Sequence, residues 1–271
     1  MLPAHPWTVS NYLAHLASVS GAPHSAALAC TAIAFYHTSN GFSSPSLDCQ
    51  VKRCLTGIKK TLAKPTVRKA PLTVDLFHRL LPALLGPAVD GLITPFERAR
   101  LSDWRTAVLA VLSYTSVARF GDFLGVSRGQ VHFEKGMLVI HFGLSKMNQF
   151  RTNDRIDRYM ATNGIFCPVR LVRKYLTLLK PDAELPLFPA FPAGVEALKA
   201  ESYHGARIAF KKALEMIGAD PSDFGMHSGR TGGNLATMEA GLPLDIRGRK
   251  GCYADGSKMP NFFLLFRSWS C

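Results

Sequence analysis

Residues 225–263 read GMHSGRTGGNLATMEAGLPLDIRGRKGCYADGSKMPNFF, and the organisation of the chain turns on them. His227 and Arg230 stand three residues apart at the head of NLATMEA, a run that predicts a helix. Side chains at that spacing leave one face of a helix, and an imidazole beside a guanidinium makes a face suited to an anion. Gly229, Gly232 and Gly233 each cost a helix roughly 1 kcal/mol relative to Ala. That cost makes sense where another backbone or a ligand passes close by. Gly241 supplies a helix stop, with Pro243 just beyond it.

The rest of the composition fits an anionic partner. Of 271 residues, 47% are apolar, enough to bury the core of one large or two smaller domains and too many for a disordered tail. Lys and Arg outnumber Asp and Glu by 32 to 19, a net charge of +13, which favours nucleic acid over a membrane surface. Cys30, Cys49, Cys54, Cys167, Cys252 and Cys271 form no CxxC pair, so neither a zinc site nor a disulfide framework is indicated and reduced thiols are expected. No basic leader opens the sequence and no run of 18 apolar residues follows, so the expectation is an intracellular protein without a membrane partner, nuclear in a eukaryote. The GxSxG, HExxH and P-loop patterns and paired acidic metal sites are missing, which argues against an unrelated hydrolase.

Taken in order, the chain predicts a small helical domain over 1–66 and a second domain over 67–271. Apolar residues recur at helical spacing at Val9, Leu13, Leu16 and Ala17, at Ala27, Ala32, Ile33 and Tyr36, and at Val51, Leu55 and Ile58. Gly21-Ala22-Pro23 and the run from Ser39 to Pro45 divide them into three helices. Lys52, Arg53, Lys59, Lys60, Lys64, Arg68 and Lys69 follow with no acidic residue among them. They read equally well as a solvated face and as a DNA-binding face tracking phosphates.

The second domain opens near Pro71, with Thr73 capping VDLFHRLLPALL, whose buried stripe is Leu76, Phe77, Leu80, Leu81 and Leu84. Thr94-Pro95-Phe96-Glu97 reads as a capping box that launches a long helix through Trp104, Val108, Val111 and Leu112. SVARFGDFLGV then sets Arg119 and Asp122, read as a buried pair, in apolar surroundings. QVHFEKGMLVI predicts two strands turned at Lys135-Gly136, and Arg151 to Arg158 a further strand, with Ser145-Lys146 in the connecting turn. A helix follows Pro168 with Leu171, Tyr175, Leu178 and Leu179 on one face, then a Pro-rich loop from Pro181 to Pro192 and a helix from Ser202 to Gly218.

HSGRTGG, an apolar helix, GLP and the basic turn RGRKG together resemble the second signature box of the tyrosine recombinases, the phage integrase family, in its eukaryotic mobile-element branch. RFGD resembles the family's first arginine box, and SKMNQF its lysine-bearing hairpin. The basic helix ending Gly57-Ile58-Lys59-Lys60 resembles the close of the core-binding half, here shorter at its N-terminus than usual.

The resemblance implies a mainly α fold with a small antiparallel β-sheet, an integrase-like catalytic domain preceded by a small helical core-binding domain, the two clamping double-stranded DNA. It also implies assembly as a homo-oligomer on DNA, and metal-free, cofactor-free strand exchange through a 3′-phosphotyrosyl link. Arg119 and Arg230 would fork onto the phosphate, Lys146 would protonate the leaving oxygen and His227 would assist. Tyr253 takes the place of the family's Trp or His. Phe262 takes the place of the nucleophilic Tyr and carries no oxygen. Three readings are open: a recombinase that binds but no longer cleaves, Tyr253 as nucleophile, or a C-terminus that is not the family's own. Two alternatives come from other classes: a basic nucleic-acid-binding module unrelated to recombinases, and a helical protein-interaction domain.

Overall fold

The computed structural model describes residues 3–65, 68–89, 92–93, 99–142 and 155–241. They form two compact units, Met1–Val67 and Arg68–Cys271.

In the first unit, α1 (Pro6–Ser20), α2 (Pro23–Ser39) and α3 (Cys49–Thr61) enclose a small core of Val9, Leu13, Ala17, Ala26, Cys30 and Val51. Prolines open α1 and α2, where the missing N–H costs nothing. Gly21 ends α1 at φ 59. The buried face of α2 differs from the expected one: Ala26, Cys30 and His37 are buried, whereas Ala32 and Tyr36 face solvent. This helix carries no Asp, Glu, Lys or Arg, so no charged face marks its outside and packing alone selects the inner one. His37 fixes it there, its Nε2 accepting the Ala4 N–H and its Nδ1 meeting the Ile33 carbonyl.

The second unit is built round α5 (Leu101–Ser116), of which every residue from Trp104 to Ser116 is buried. No charge falls between Arg105 and Arg119, and a helix apolar on all sides must lie inside the fold. Packed against it are α4 (Val74–Leu85), α7 (Pro168–Leu178), α8 (Tyr203–Met216) and α9 (Ser228–Glu239). Thr73 caps α4 through Leu76 N–H as expected. The capping box of residues 94–97 lies outside the described residues. α5 itself opens at Leu101, where the Asp103 carboxylate accepts the Arg100 N–H. On α7 the buried face is Val169, Leu171, Val172 and Tyr175, and Leu178 is exposed rather than buried.

A short ribbon, β1 (Ala88–Val89) with β2 (Leu92–Ile93), precedes α5. The main sheet is antiparallel in the order β3 (Val131–Glu134), β4 (Met137–Phe142), β5 (Arg155–Tyr159). Lys135 and Gly136 join β3 to β4 at φ 47 and 79, the pair of positive angles that a tight hairpin requires. Val131 pairs with Ile140 and Leu138 with Tyr159, so these residues share the face turned to the core.

The Pro-rich segment after α7 is tied down by two ion pairs. Arg105 meets Glu201 at 2.5 Å and also donates to the Pro189 carbonyl. Arg128 meets Glu196 and donates to the carbonyls of Lys180 and Pro186. Among the described residues, no helix is long and apolar enough to cross a membrane.

Candidate functional site

The three glycines of HSGRTGG set where α9 lies. A Cβ on Gly232 would overlap the Leu72 carbonyl, one on Gly233 the Tyr114 carbonyl, and one on Gly229 the Ser113 hydroxyl. The close neighbour foreseen for these glycines is therefore protein backbone and the end of α5. Hydrogen bonds hold the approaching segment in place: Ala70 N–H to the Asp223 carbonyl at 2.7 Å and Leu72 N–H to the Ser228 carbonyl at 2.9 Å. Gly241 ends the helix region at φ 70, while Pro243 lies outside the described residues.

His227 forms the N-terminal boundary of α9 and is exposed, whereas Arg230, one turn on, is buried. Arg119 stands just beyond the C-terminus of α5. There Val117 adopts φ 57, a left-handed conformation that a β-branched residue enters only under constraint. Ser116 Oγ accepts the Ala118 N–H at 3.0 Å across the same turn. Arg119 then caps the short α6 (Phe120–Leu124), with its own N–H donating to Asp122 Oδ2 at 3.1 Å. Phe120 packs towards Phe210 and Phe123 against Phe142, which anchors α6 to α8 and to the sheet. Arg119 is half-buried rather than buried as the sequence suggested, so its guanidinium sits at the edge of the core.

The charges of Arg230, Arg119 and Asp122 are all felt at His227. Desolvation by the protein packed beneath the ring lowers its pKa, helped by the positive charges of Arg230 and then Arg119, against an opposing pull from Asp122. The imidazole is thus held neutral more firmly than a free histidine. In the unliganded fold the neutral form is favoured, so this contribution to stability is present above the usual histidine value, about 6.5. It is lost as the pH falls through that value towards the lowered one. Thermal midpoints measured from pH 8 to pH 5 should therefore fall more steeply for the native chain than for His227→Gln. Parallel curves would show that His227 does not titrate this way.

Of the other expected site residues, Lys146, Tyr253 and Phe262 lie outside the described residues. Lys52, Arg53, Lys59 and Lys60 are exposed along α3, and Lys64 follows it. Arg68 and Lys69 belong to the second unit, where Lys69 Nζ donates to the Ser222 carbonyl. Sequence reasoning missed Leu72, Ser113 and Tyr114 as the seat of α9, and Arg105 and Arg128 as anchors of the Pro-rich segment. A Gly-Gly pair inside a helix signals a close neighbour, but nothing local says which. Among the described residues no group of three or more His, Cys, Asp or Glu is placed to hold a metal, and Cys30, Cys49, Cys54 and Cys167 are free thiols.

Chemically, a guanidinium group offers forked donors and an imidazole a ring N–H, the kinds of group that can bind a tetrahedral anion. No family model and no curated protein sequence matches the chain. Among solved structures, it is similar to XerH site-specific recombinase bound to a palindromic difH substrate in a post-cleavage complex. That likeness has a TM-score of 0.51 at 13% identity, covering 84% of this chain and 65% of that one. XerA recombinase (TM-score 0.45, 18% identity, 79% and 69% covered) and a lambda integrase dimer on a COC′ core site (0.46, 12%, 88% and 58%) overlap less well. The fold is mainly helical with a small antiparallel sheet, and it is that of an integrase-like catalytic domain.

Proposed function

We propose that this chain is a tyrosine-recombinase-type protein of mobile-element origin that binds double-stranded DNA and grips a backbone phosphate, but has lost strand cleavage. The observation that supports the reading is an integrase-like fold in which the charges of Arg230 and Arg119 are felt at His227. The solved XerH complex holds a DNA substrate, and the excess of basic residues here suits the same partner.

In this reading Arg119 and Arg230 each donate to non-bridging oxygens, with guanidinium geometry that an ammonium does not reproduce. His227, neutral when the site is empty, donates one ring N–H to the phosphate. Bound phosphate favours its protonated form. Lys146 stands ready to protonate the leaving 5′ oxygen. Phe262 then accounts for the missing step, because a phenyl ring has no oxygen to attack phosphorus.

Two measurements test the proposal. Duplex binding over a salt series should show Arg119→Ala and Arg230→Ala each weakening affinity. The slope of log K against log salt should shrink by roughly 0.9 for each phosphate that is no longer neutralised. Unchanged affinity and slope in both variants would remove the proposed grip. The native chain and Phe262→Tyr are then incubated with nicked duplexes that trap covalent intermediates. A protein–DNA adduct is expected with Phe262→Tyr alone, its tyrosyl oxygen bonded to the 3′ phosphate and the 5′ hydroxyl released. An adduct with the native chain would overturn the loss of cleavage and direct peptide mapping to Tyr253.

A further inference from the structure

The helix α3 has two unlike faces. Val51, Cys54, Leu55, Ile58 and Leu62 close the core of the first unit. On the face turned away from it, Arg53, Gly57 and Lys60 follow at intervals of four and three residues, flanked by Lys52 and Lys59, and all five are exposed. From Cys49 to Lys69 no acidic residue occurs.

Gly57 is the anomaly on that face. Glycine inside a helix is unfavourable, and in α8 and α9 close neighbours account for it. Gly229, Gly232 and Gly233 are pressed against neighbouring protein and Gly205 against the Glu201 carboxylate, whereas Gly121, on the short α6, makes only an ordinary contact with Tyr203 at 3.9 Å. At Gly57 an added Cβ would meet nothing within 4 Å, and its backbone lies outside the left-handed region. Neither packing nor conformation within the described residues calls for glycine there.

We infer that Gly57 is where α3 comes closest to the backbone of bound DNA. Without a side chain, the helix surface carries a notch between Arg53 and Lys60, which stand roughly 10.5 Å apart along the axis at 1.5 Å per residue. A sugar-phosphate settles into the notch while the two cations hold phosphates on either side, and Lys52 and Lys59 add charge along the flank. Interactions of this kind position a protein on DNA without reading sequence. The inference rests on the DNA-binding reading proposed above, and it commits to duplex DNA because the face carries charge of one sign and no apolar anchor.

The full chain is compared with Gly57→Ala, Gly57→Leu and Lys60→Ala, measuring thermal midpoint and affinity for a mixed-sequence duplex. Gly57→Ala is expected to keep or raise the midpoint, because Ala is the better helix former. It should nevertheless weaken binding by roughly fivefold, and Gly57→Leu by roughly tenfold, on the scale of one displaced phosphate. Native affinity in Gly57→Ala and Gly57→Leu, with Lys60→Ala weakened, would overturn the notch and leave DNA binding standing. Failure of the native chain to bind duplex at low salt would remove the reading beneath it as well. Tighter binding to an RNA duplex, or to an acidic protein, would overturn the choice of partner.

Discussion

Gly232→Ala is expected to destabilise the second unit by about 3 kcal/mol or more. Overpacking a core costs typically 1–3 kcal/mol when side chains can adjust, but here the obstacle is main chain. Besides the overlap with the Leu72 carbonyl oxygen, the new methyl would lie 2.8 Å from the Leu72 carbonyl carbon and 3.0 Å from its nitrogen. This segment cannot withdraw easily, because Leu72 is 2% exposed and its N–H is bonded to the Ser228 carbonyl. The gain in helix propensity, about 1 kcal/mol, does not offset this. Urea denaturation checks the prediction, with Gly57→Ala as an internal control of opposite sign. A midpoint as high as that of the native chain would mean that α9 does not rest on this backbone.

Glu196→Ala is the second large effect, expected to cost about 3–5 kcal/mol, the usual consequence of leaving one member of a buried pair uncompensated. The side chains of Arg128 and Glu196 are each 6% exposed. Glu196 also accepts the Lys180 N–H at 3.0 Å, so removing it frees both a guanidinium and a main-chain donor. The segment it anchors has little regular structure and depends on such ties for its path. Replacing the pair together, as Arg128→Met with Glu196→Leu, should cost less than Glu196→Ala alone, since no charge is then stranded. A loss below about 1 kcal/mol for Glu196→Ala, within the range of exposed pairs, would show that water reaches Arg128.

Local pattern makes several of these elements legible in the sequence. The uncharged run after Arg105 announces a central helix, Thr73 a helix start, and Lys135-Gly136 a hairpin, because each depends on neighbours a few residues away. The one-turn spacing of His227 and Arg230 is legible for the same reason, although the structure leaves the first exposed and buries the second. Where a face carries no charge contrast, as on α2, periodicity selects Ala32 and Tyr36 for the inside, and the structure leaves them exposed. Pairs such as Arg128 with Glu196, 68 residues apart, leave no trace in a sequence read alone. Nor does the backbone beneath Gly232 and Gly233, which belongs to distant segments. Nothing local signals that the charge of Arg119 is felt at His227, since the two are so far apart in the chain.

The glycine face of α9 also bears on how such a chain changes over generations. Gly229, Gly232 and Gly233 sit against neighbouring protein, so selection for folding alone eliminates larger residues there, whatever becomes of the chemistry. These three glycines can therefore be transmitted for as long as the folded chain is retained, whatever happens at exposed His227 beside them. In a survey of genomes those glycines are a record of architecture rather than of chemistry.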